Sequence, residues 1–233
     1  MEPPPITLIT GSRKGIGRFL VEHYTRQRHI VVGCSREAVP EAIPGYEHFC
    51  LDVSDENAIR NLMAAVRRKY GRLDNLINNA GVASVGHSLL TSADSLMRLY
   101  KTNVLGSFLF CREGAKLMKK HRYGRIVNFS TVAVPLRLSG EAVYASSKAA
   151  VVSLTGILAK ELGPLGITVN AVGPTPVHTD LIAAMPADKV QEIIDRQSIP
   201  RPETFADIAN VIDFFLRPES SFVTGQVIYL GGC

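Results

Sequence analysis

The 233 residues carry 26 Lys and Arg against 21 Asp and Glu, a net charge of +5, with 46% hydrophobic and 20% charged residues. That mixture can bury a sizeable core and excludes an intrinsically disordered chain; the length suits one large α/β domain or two small ones, so pattern must decide between them. Cys34, Cys50, Cys111 and Cys233 are scattered without a CxxC pair, which argues against a disulfide framework or a metal site and for reduced thiols, the first three expected in the core.

The opening MEPPPITLIT has neither the basic start nor the long apolar stretch of a secretory leader, and no apolar run approaches the ~20 residues that span a bilayer. A cytoplasmic protein without a membrane partner is expected. Short β-branched runs then recur at 6–10, 30–34, 48–51, 75–78, 125–129, 167–172 and 226–230. Several are continuously apolar, as in parallel strands covered on both faces, and the connections are long enough for crossover helices. A string of right-handed βαβ units predicts an α/β fold. It is a Rossmann-type, doubly wound, seven-stranded parallel sheet with helices on both faces, in a single domain over residues 1–233.

Helix starts are marked at Ser54, with Asp55 and Glu56 in the first turn, and at Thr91, whose spacing to Asp94 is that of a capping box. The basic clusters at 67–69 (RRK) and 119–125 (KKHRYGR) fall at expected helix ends, where cations complement the dipole, so the positive charge calls for no nucleic-acid partner. Residues 175–204 are interrupted by Pro176, Pro186, Pro200 and Pro202 and read as a mobile substrate flap, with LIAAMP (181–186) as its apolar stretch.

Directly after the first strand, TGSRKGIG places Gly11, Gly15 and Gly17 at the entry to a helix, with Arg13, Lys14 and Ile16 between them. Backbone amides at a helix N-terminus bind phosphate, and glycine permits both the tight turn and a close approach of a pyrophosphate. The second strand ends at Ser35 and Arg36, where NAD-preferring enzymes usually place an acid for the ribose 2′-hydroxyl. With no carboxylate read there, Lys14 and Arg36 can grip a 2′-phosphate from two sides, and NADP(H) is the expected cofactor. Tyr144 and Lys148 stand four residues apart and share a helix face. A free tyrosine titrates near pH ~10; a neighbouring ammonium and an oxidised nicotinamide are expected to lower that value, fitting Tyr144 to protonate a substrate oxygen.

Together TGSRKGIG (10–17), LDVSD (51–55), NNAG (78–81), TNVLG (102–106), YASSK (144–148), GITVNAVGP (166–174) and TGQVIYLGG (224–232) stand in the order and spacing of the short-chain dehydrogenase/reductase family, which the chain resembles over nearly its whole length. The resemblance implies that Asp52 and Val53 border the adenine and that Asn79, Ala80 and Gly81 line the cofactor groove. It also implies that Lys148 holds the nicotinamide ribose, and that Asn103 bends its helix and holds a water that relays protons to Lys148. The family's catalytic serine falls thirteen residues before the tyrosine, at Thr131 here, with Ser130 one residue off. Alternation at a strand end points Thr131 inward and Ser130 away. The family's Pro-Gly after strand six becomes Pro174-Thr175, followed by Pro176, a stiffer turn. Near it Val177 and Thr179 still match positions that hold the nicotinamide carboxamide.

The activity implied is NADPH-dependent reduction of a ketone to a secondary alcohol, with a small-molecule carbonyl substrate. The chain resembles 3-oxoacyl carrier-protein reductases, whose acidic carrier docks on two arginines beside the cleft; Arg122 matches one and Leu165 replaces the other. Free ketone, sugar and acyl thioester all stay open, as do an NAD-linked alcohol dehydrogenase and a catalytically silent NADP-binding module. The resemblance also suggests a homotetramer or homodimer through helices at 93–120 and 144–163, where Leu109, Ala149 and Val152 are small or apolar outer residues. The end at Cys233 leaves little tail to cover a neighbouring subunit's site.

Overall fold

Strands alternate with helices through the computed structural model, which describes residues 3–39, 41–177, 179 and 187–232. Among the described residues, β1 (Ile6–Thr10), β2 (Ile30–Ser35), β3 (Tyr46–Cys50), β4 (Asn75–Asn78), β5 (Gly124–Phe129), β6 (Ile167–Gly173) and β7 (Val227–Tyr229) form one seven-stranded parallel sheet in the order β3-β2-β1-β4-β5-β6-β7. The helices are α1 (Gly15–Arg26), α2 (Glu56–Tyr70), α3 (Ala93–Tyr100), α4 (Gly106–Met118), α5 (Ala133–Leu136), α6 (Ala142–Leu162), α7 (Ala187–Asp195) and α8 (Phe205–Leu216). Chain order reverses between β1 and β4, and the crevice at their carboxyl ends is where doubly wound sheets take ligands.

Successive strand residues face opposite sides, and two cores result. Leu8, Leu76, Ile126 and Val169 pack with Ile59 and Val66 of α2, Phe110 and Met118 of α4 and Leu158 of α6. Ile9, Ile77, Val127 and Val172 pack with Leu20 and Tyr24 of α1 and with Ile212 and Phe215 of α8. The expected architecture and strand positions hold, with β3 two residues earlier than expected at its start and β7 shorter at both ends.

Several local expectations are corrected. Asp55, not Ser54, caps α2: its Oδ1 accepts from the N–H of Asn57 at 2.9 Å and of Ala58 at 3.0 Å, because a carboxylate both satisfies the amides and complements the dipole. Ser54 instead closes a turn onto Asp52 Oδ1. Ser92 caps α3 through the Ser95 N–H at 3.2 Å, while Thr91 donates backwards to the His87 carbonyl. The true capping box is Thr204 with Asp207 at α8. Cys50 is exposed, since it ends the edge strand β3; Cys34 and Cys111 are buried. Leu109, expected on an outer face, lies in the first core. The segment Ala142–Leu165 is long and apolar enough by length and composition to cross a bilayer, contrary to the sequence reading. In this fold its buried residues Val151, Thr155, Leu158 and Ala159 are used up in packing along β6.

Arg125 is not at a helix end but in β5, only 3% exposed. Its guanidinium stacks 4.4 Å from the Tyr123 ring centroid, its Nη1 donates to the Gly124 carbonyl, and its Nε has no partner among the described residues. Burial pulls its pKa down. A buried charge of this kind is a weak stabiliser, and an apolar side chain of similar volume often replaces it without loss. Arg125→Met is therefore expected to leave the thermal midpoint unchanged or raised; a drop of more than about 3 kcal/mol in denaturant unfolding contradicts this account of the strand.

Candidate active site

The carboxyl ends of β1, β4, β5 and β6 converge on a cleft of about 590 Å³. Thr10 ends β1, and the chain turns at Gly11 with φ 68°, its N–H donating to the Cys34 carbonyl at 2.8 Å. A Cβ on Gly11 would lie 2.9 Å from Ala80 Cα, and one on Gly17 only 2.1 Å from the Gly11 carbonyl oxygen. Any side chain there would push the first turn of α1 off the loop. Asn79 braces the same turn from β4, its Nδ2 donating to the carbonyls of Thr10 at 2.9 Å and Gly11 at 3.1 Å, while the Ala80 N–H donates to Thr10 Oγ1. With no acidic residue in its first turn and no side-chain cap, α1 offers an anion its positive end.

Beyond the turn, Ser35 at the end of β2 with Arg36 and Glu37, and Leu51, Asp52 and Val53 after β3, form one wall. Glu37 corrects the expectation of a wall without an acid, because it brings a carboxylate to the end of β2. Arg13 neutralises it at 3.1 Å. The Ser54 N–H and hydroxyl, with Arg36 nearby, hold Asp52 below the usual carboxylate range. Arg13, Lys14 and Arg36 still outnumber Glu37 and Asp52 on this wall, so the local field favours an added phosphate. Tight glycine turn, helix end and cationic wall together fit a phosphorylated dinucleotide.

At the other end, α6 carries Tyr144 and Lys148 into the cleft. The Lys148 ammonium is buried and donates to the Phe129 carbonyl at 2.8 Å; burial pulls its pKa down to about 8. Tyr144 differs from expectation. Burial pushes its phenol up to about 12, the Thr131 hydroxyl pulls it partway back, and Glu141 pushes it further up. The ammonium points at a main-chain oxygen and not at the phenol, so no depression results. Thr131, rather than Ser130, is the hydroxyl that meets Tyr144, as strand alternation predicted; its Oγ1 also accepts from the Ala133 N–H at 3.3 Å. Ser130 Oγ is buried without a partner among the described residues.

Asn103 sits behind the cleft in a π-helical turn, Lys101–Leu105, between α3 and α4. The helix is distorted there as expected. Its amide is fully engaged: Oδ1 accepts from the Val82 N–H at 2.9 Å, and Nδ2 donates to the Val82 carbonyl and to Ser147 Oγ. A Cβ on Gly81 would lie 3.3 Å from Lys148 Nζ and 3.4 Å from Asn103 Oδ1, so these two polar groups flank one bare stretch of backbone.

Gly15, Ile16, Ala80, Gly81, Pro174, Val177 and Thr179 also line the cleft, so among the expected catalytic and cofactor-binding residues only Gly17 and Asn103 are not part of its lining. The stiff turn after β6 has an anchor the sequence did not reveal: Thr175 donates from its N–H at 2.7 Å and its hydroxyl at 3.2 Å to Glu203 Oε2. Of the expected flap, residues 178 and 180–186, LIAAMP included, lie outside the described residues, and α7 contributes Ile193 to the cleft. Also missed from sequence were Val82, Val85, Leu138 and Glu141, which close the substrate end. A larger cavity of about 930 Å³ opens at the amino ends of the strands, but the glycine turn and the Tyr-Lys pair are at the other end.

The family model described as enoyl-(acyl carrier protein) reductase matches residues 11–232. The chain belongs to the short-chain dehydrogenase/reductase family. It is 29% identical over 233 residues to the 3-oxoacyl-[acyl-carrier-protein] reductase FabG of Escherichia coli K12, covering 97% of this chain and 96% of the relative. It is 33% identical over 236 residues to (2S)-[(R)-hydroxy(phenyl)methyl]succinyl-CoA dehydrogenase subunit BbsD of Thauera aromatica, covering 97% and 95%. Among solved structures, ElxO with NADP bound superposes with a TM-score of 0.90 at 27% identity, covering 98% of this chain and 97% of that one. In this short-chain dehydrogenase/reductase the glycine contacts are testable directly. Gly17→Ala is expected to lower the thermal midpoint and to weaken NADPH binding by roughly fivefold or more, since overpacking a tight site costs about 1–3 kcal/mol; unchanged affinity in a fluorescence titration contradicts the cradle.

Proposed function

We propose that the chain reduces a ketone to a secondary alcohol with NADPH, in a single domain and as a cytoplasmic enzyme. The observation that carries the reading is that one cleft brings the protonated Tyr144 phenol, its pKa pushed up to about 12 by burial, together with the Thr131 hydroxyl and the Lys148 ammonium, so a proton donor stands ready for a carbonyl oxygen. NADP(H) fits the cleft, with Gly11, Gly15, Arg13, Lys14, Ser35 and Arg36 placed for its phosphates and Asp52 and Val53 for its adenine. When bound as NADPH it supplies the hydride. Val177 and Thr179, which line the same cleft, would hold its carboxamide, and Lys148 its nicotinamide ribose.

The chain's own groups do the rest. Thr131 and Tyr144 offer two hydroxyls to one carbonyl oxygen, fixing it and withdrawing charge from it. Tyr144 then delivers its proton to that oxygen as negative charge develops. The buried ammonium of Lys148, fixed by the Phe129 carbonyl, would hold the nicotinamide ribose and keeps a positive charge in the cleft as the substrate oxygen gains negative charge, and Asn103 holds the Val82 and Ser147 segments so that the two helices keep their spacing.

FabG is named as a reductase of a 3-oxoacyl group and BbsD as a dehydrogenase of a hydroxy compound, which supports the reaction type. The carrier-docking reading is weaker. Arg122 and Leu165 precede β5 and β6, at the strand ends opposite the cleft, and Arg122 Nη2 donates to the Pro164 carbonyl at 3.0 Å. A small free ketone is therefore favoured over a carrier-bound one. Exposed Met97, Leu105, Phe108 and Ile157 on α3, the π-helical turn, α4 and α6 support assembly of two or four copies through these helices, and the buried thiols of Cys34 and Cys111 support a reducing compartment.

Tyr144→Phe is expected to abolish ketone-dependent NADPH oxidation and to leave NADPH binding within about twofold; a fully active variant overturns the assignment. Because Lys148 loses its proton as pH rises through about 8, kcat/KM for reduction is expected to fall above that pH; a profile flat to pH 10 removes the ammonium from the mechanism. Arg36→Ala is expected to weaken NADPH roughly tenfold, the size of a lost charge-assisted contact, and to leave NADH unchanged; equal losses for both contradict 2′-phosphate recognition.

A further inference from the structure

Glu141 stands three residues before Tyr144, at the start of α6, and lines the substrate end of the cleft. It is only 5% exposed, and its Oε2 has no hydrogen-bond partner among the described residues. The position is that of a helix cap, yet the side chain makes no cap bond, unlike Asp55, Ser92 and Thr204 at the other helices. The backbone is fixed on both sides, the Glu141 N–H donating to the Leu138 carbonyl and its own carbonyl accepting from the Ala145 N–H at 2.7 Å. A side chain so placed is held beside the reacting centre with an unfilled acceptor.

A buried acceptor left unpaired is costly, and a carboxylate more so. Burial is the cause of its elevated pKa, about 7, and no cation offsets it. Glu203 provides the contrast: it is equally buried, but its Oε2 is taken by Thr175, which gives it a structural task. Glu141 has no such internal task among the described residues, so its natural partner arrives with the substrate. The cleft that Glu141 lines also carries the apolar Val82, Val85, Val132, Leu138 and Ile193, and Lys148 places a positive charge in the same cleft. These surroundings favour a neutral donor over a second cation.

We propose that Glu141 selects the substrate by accepting a hydrogen bond from a hydroxyl group carried close to the ketone, so that the enzyme is a reductase of hydroxy ketones with an apolar remainder. This rests on the reductase reading above and narrows its substrate class. Glu141 is a specificity residue here; it neither gives nor takes the proton that Tyr144 transfers.

The test is steady-state reduction with NADPH of matched six- to eight-carbon ketones: the plain 2-alkanone, its 1-hydroxy and 4-hydroxy derivatives, and its 1-amino derivative. Wild-type kcat/KM for at least one hydroxy ketone is expected to exceed that for the plain alkanone roughly tenfold or more, the range of a hydrogen bond to a charged group. That ratio should fall in Glu141→Gln and fall further, to within about twofold of unity, in Glu141→Leu. The Gln variant keeps the size and one acceptor, so it reports even if the Leu variant fails to fold. A ratio unchanged in both variants, no hydroxyl preference in the wild type, or a preference for the amino ketone overturns the proposal. If NADPH binds but no ketone is reduced by the wild type, the reductase reading itself fails, a result distinct from reduction without hydroxyl selectivity.

Discussion

The Lys148 ammonium, buried and tied to the Phe129 carbonyl, is the contact around which the site is arranged. It ties α6 to the carboxyl end of β5, so Tyr144 on the same helix face and Thr131 just past the strand are brought into register. A charged group is costly to bury unless its hydrogen bonds are met, and this one is placed beside Gly81, where the absence of a side chain lets Asn103 approach from behind. Shifting β5 or α6 would leave that charge unsatisfied. The fold's parallel register is thus coupled to the chemistry through a single ammonium.

The same logic of close backbone approach governs the nucleotide end. The sheet reverses its winding between β1 and β4, and the gap this opens is spanned by Asn79, whose amide bonds the turn at Thr10 and Gly11. Glycine at 11 and 17 is a packing requirement before it is a ligand requirement, since a methyl group at either position meets neighbouring backbone. The result is a rigid floor for phosphates at one end and a half-buried phenol at the other. Between them lies a cleft of the right size for one cofactor and a small ketone.

Much of this was legible from sequence because periodicity and motif spacing report directly on what is buried. The continuous apolar runs gave the strands, and the i, i+4 pair gave the shared face of Tyr144 and Lys148. Alternation at the strand end decided Thr131 over Ser130. What remained hidden depends on distance through space. Glu37 entered the cleft because Arg13 holds it there, and Glu203 reached Thr175 from 28 residues away. The shift of Tyr144 was misjudged in sign, because proximity along a helix suggested that the ammonium would acidify the phenol, whereas burial raises it and the ammonium faces elsewhere. Caps moved by one residue where two adjacent side chains were both able to serve, as at Ser54 and Asp55. Glu141 carried a sequence signal, its spacing of three from Tyr144, but only burial without a partner gave that spacing meaning.

The central claim is that one cleft brings a nicotinamide cofactor and a buried phenolic acid to the same carbonyl. Incubating the protein with a ketone substrate and NADPH carrying deuterium at both nicotinamide C4 positions, and reading the product alcohol by NMR, tests that claim most directly. The account predicts deuterium on the carbinol carbon of a single enantiomer, with the hydroxyl proton drawn from the protein and solvent. Alcohol formed without the label, or no alcohol from any ketone while NADPH stays bound, contradicts it.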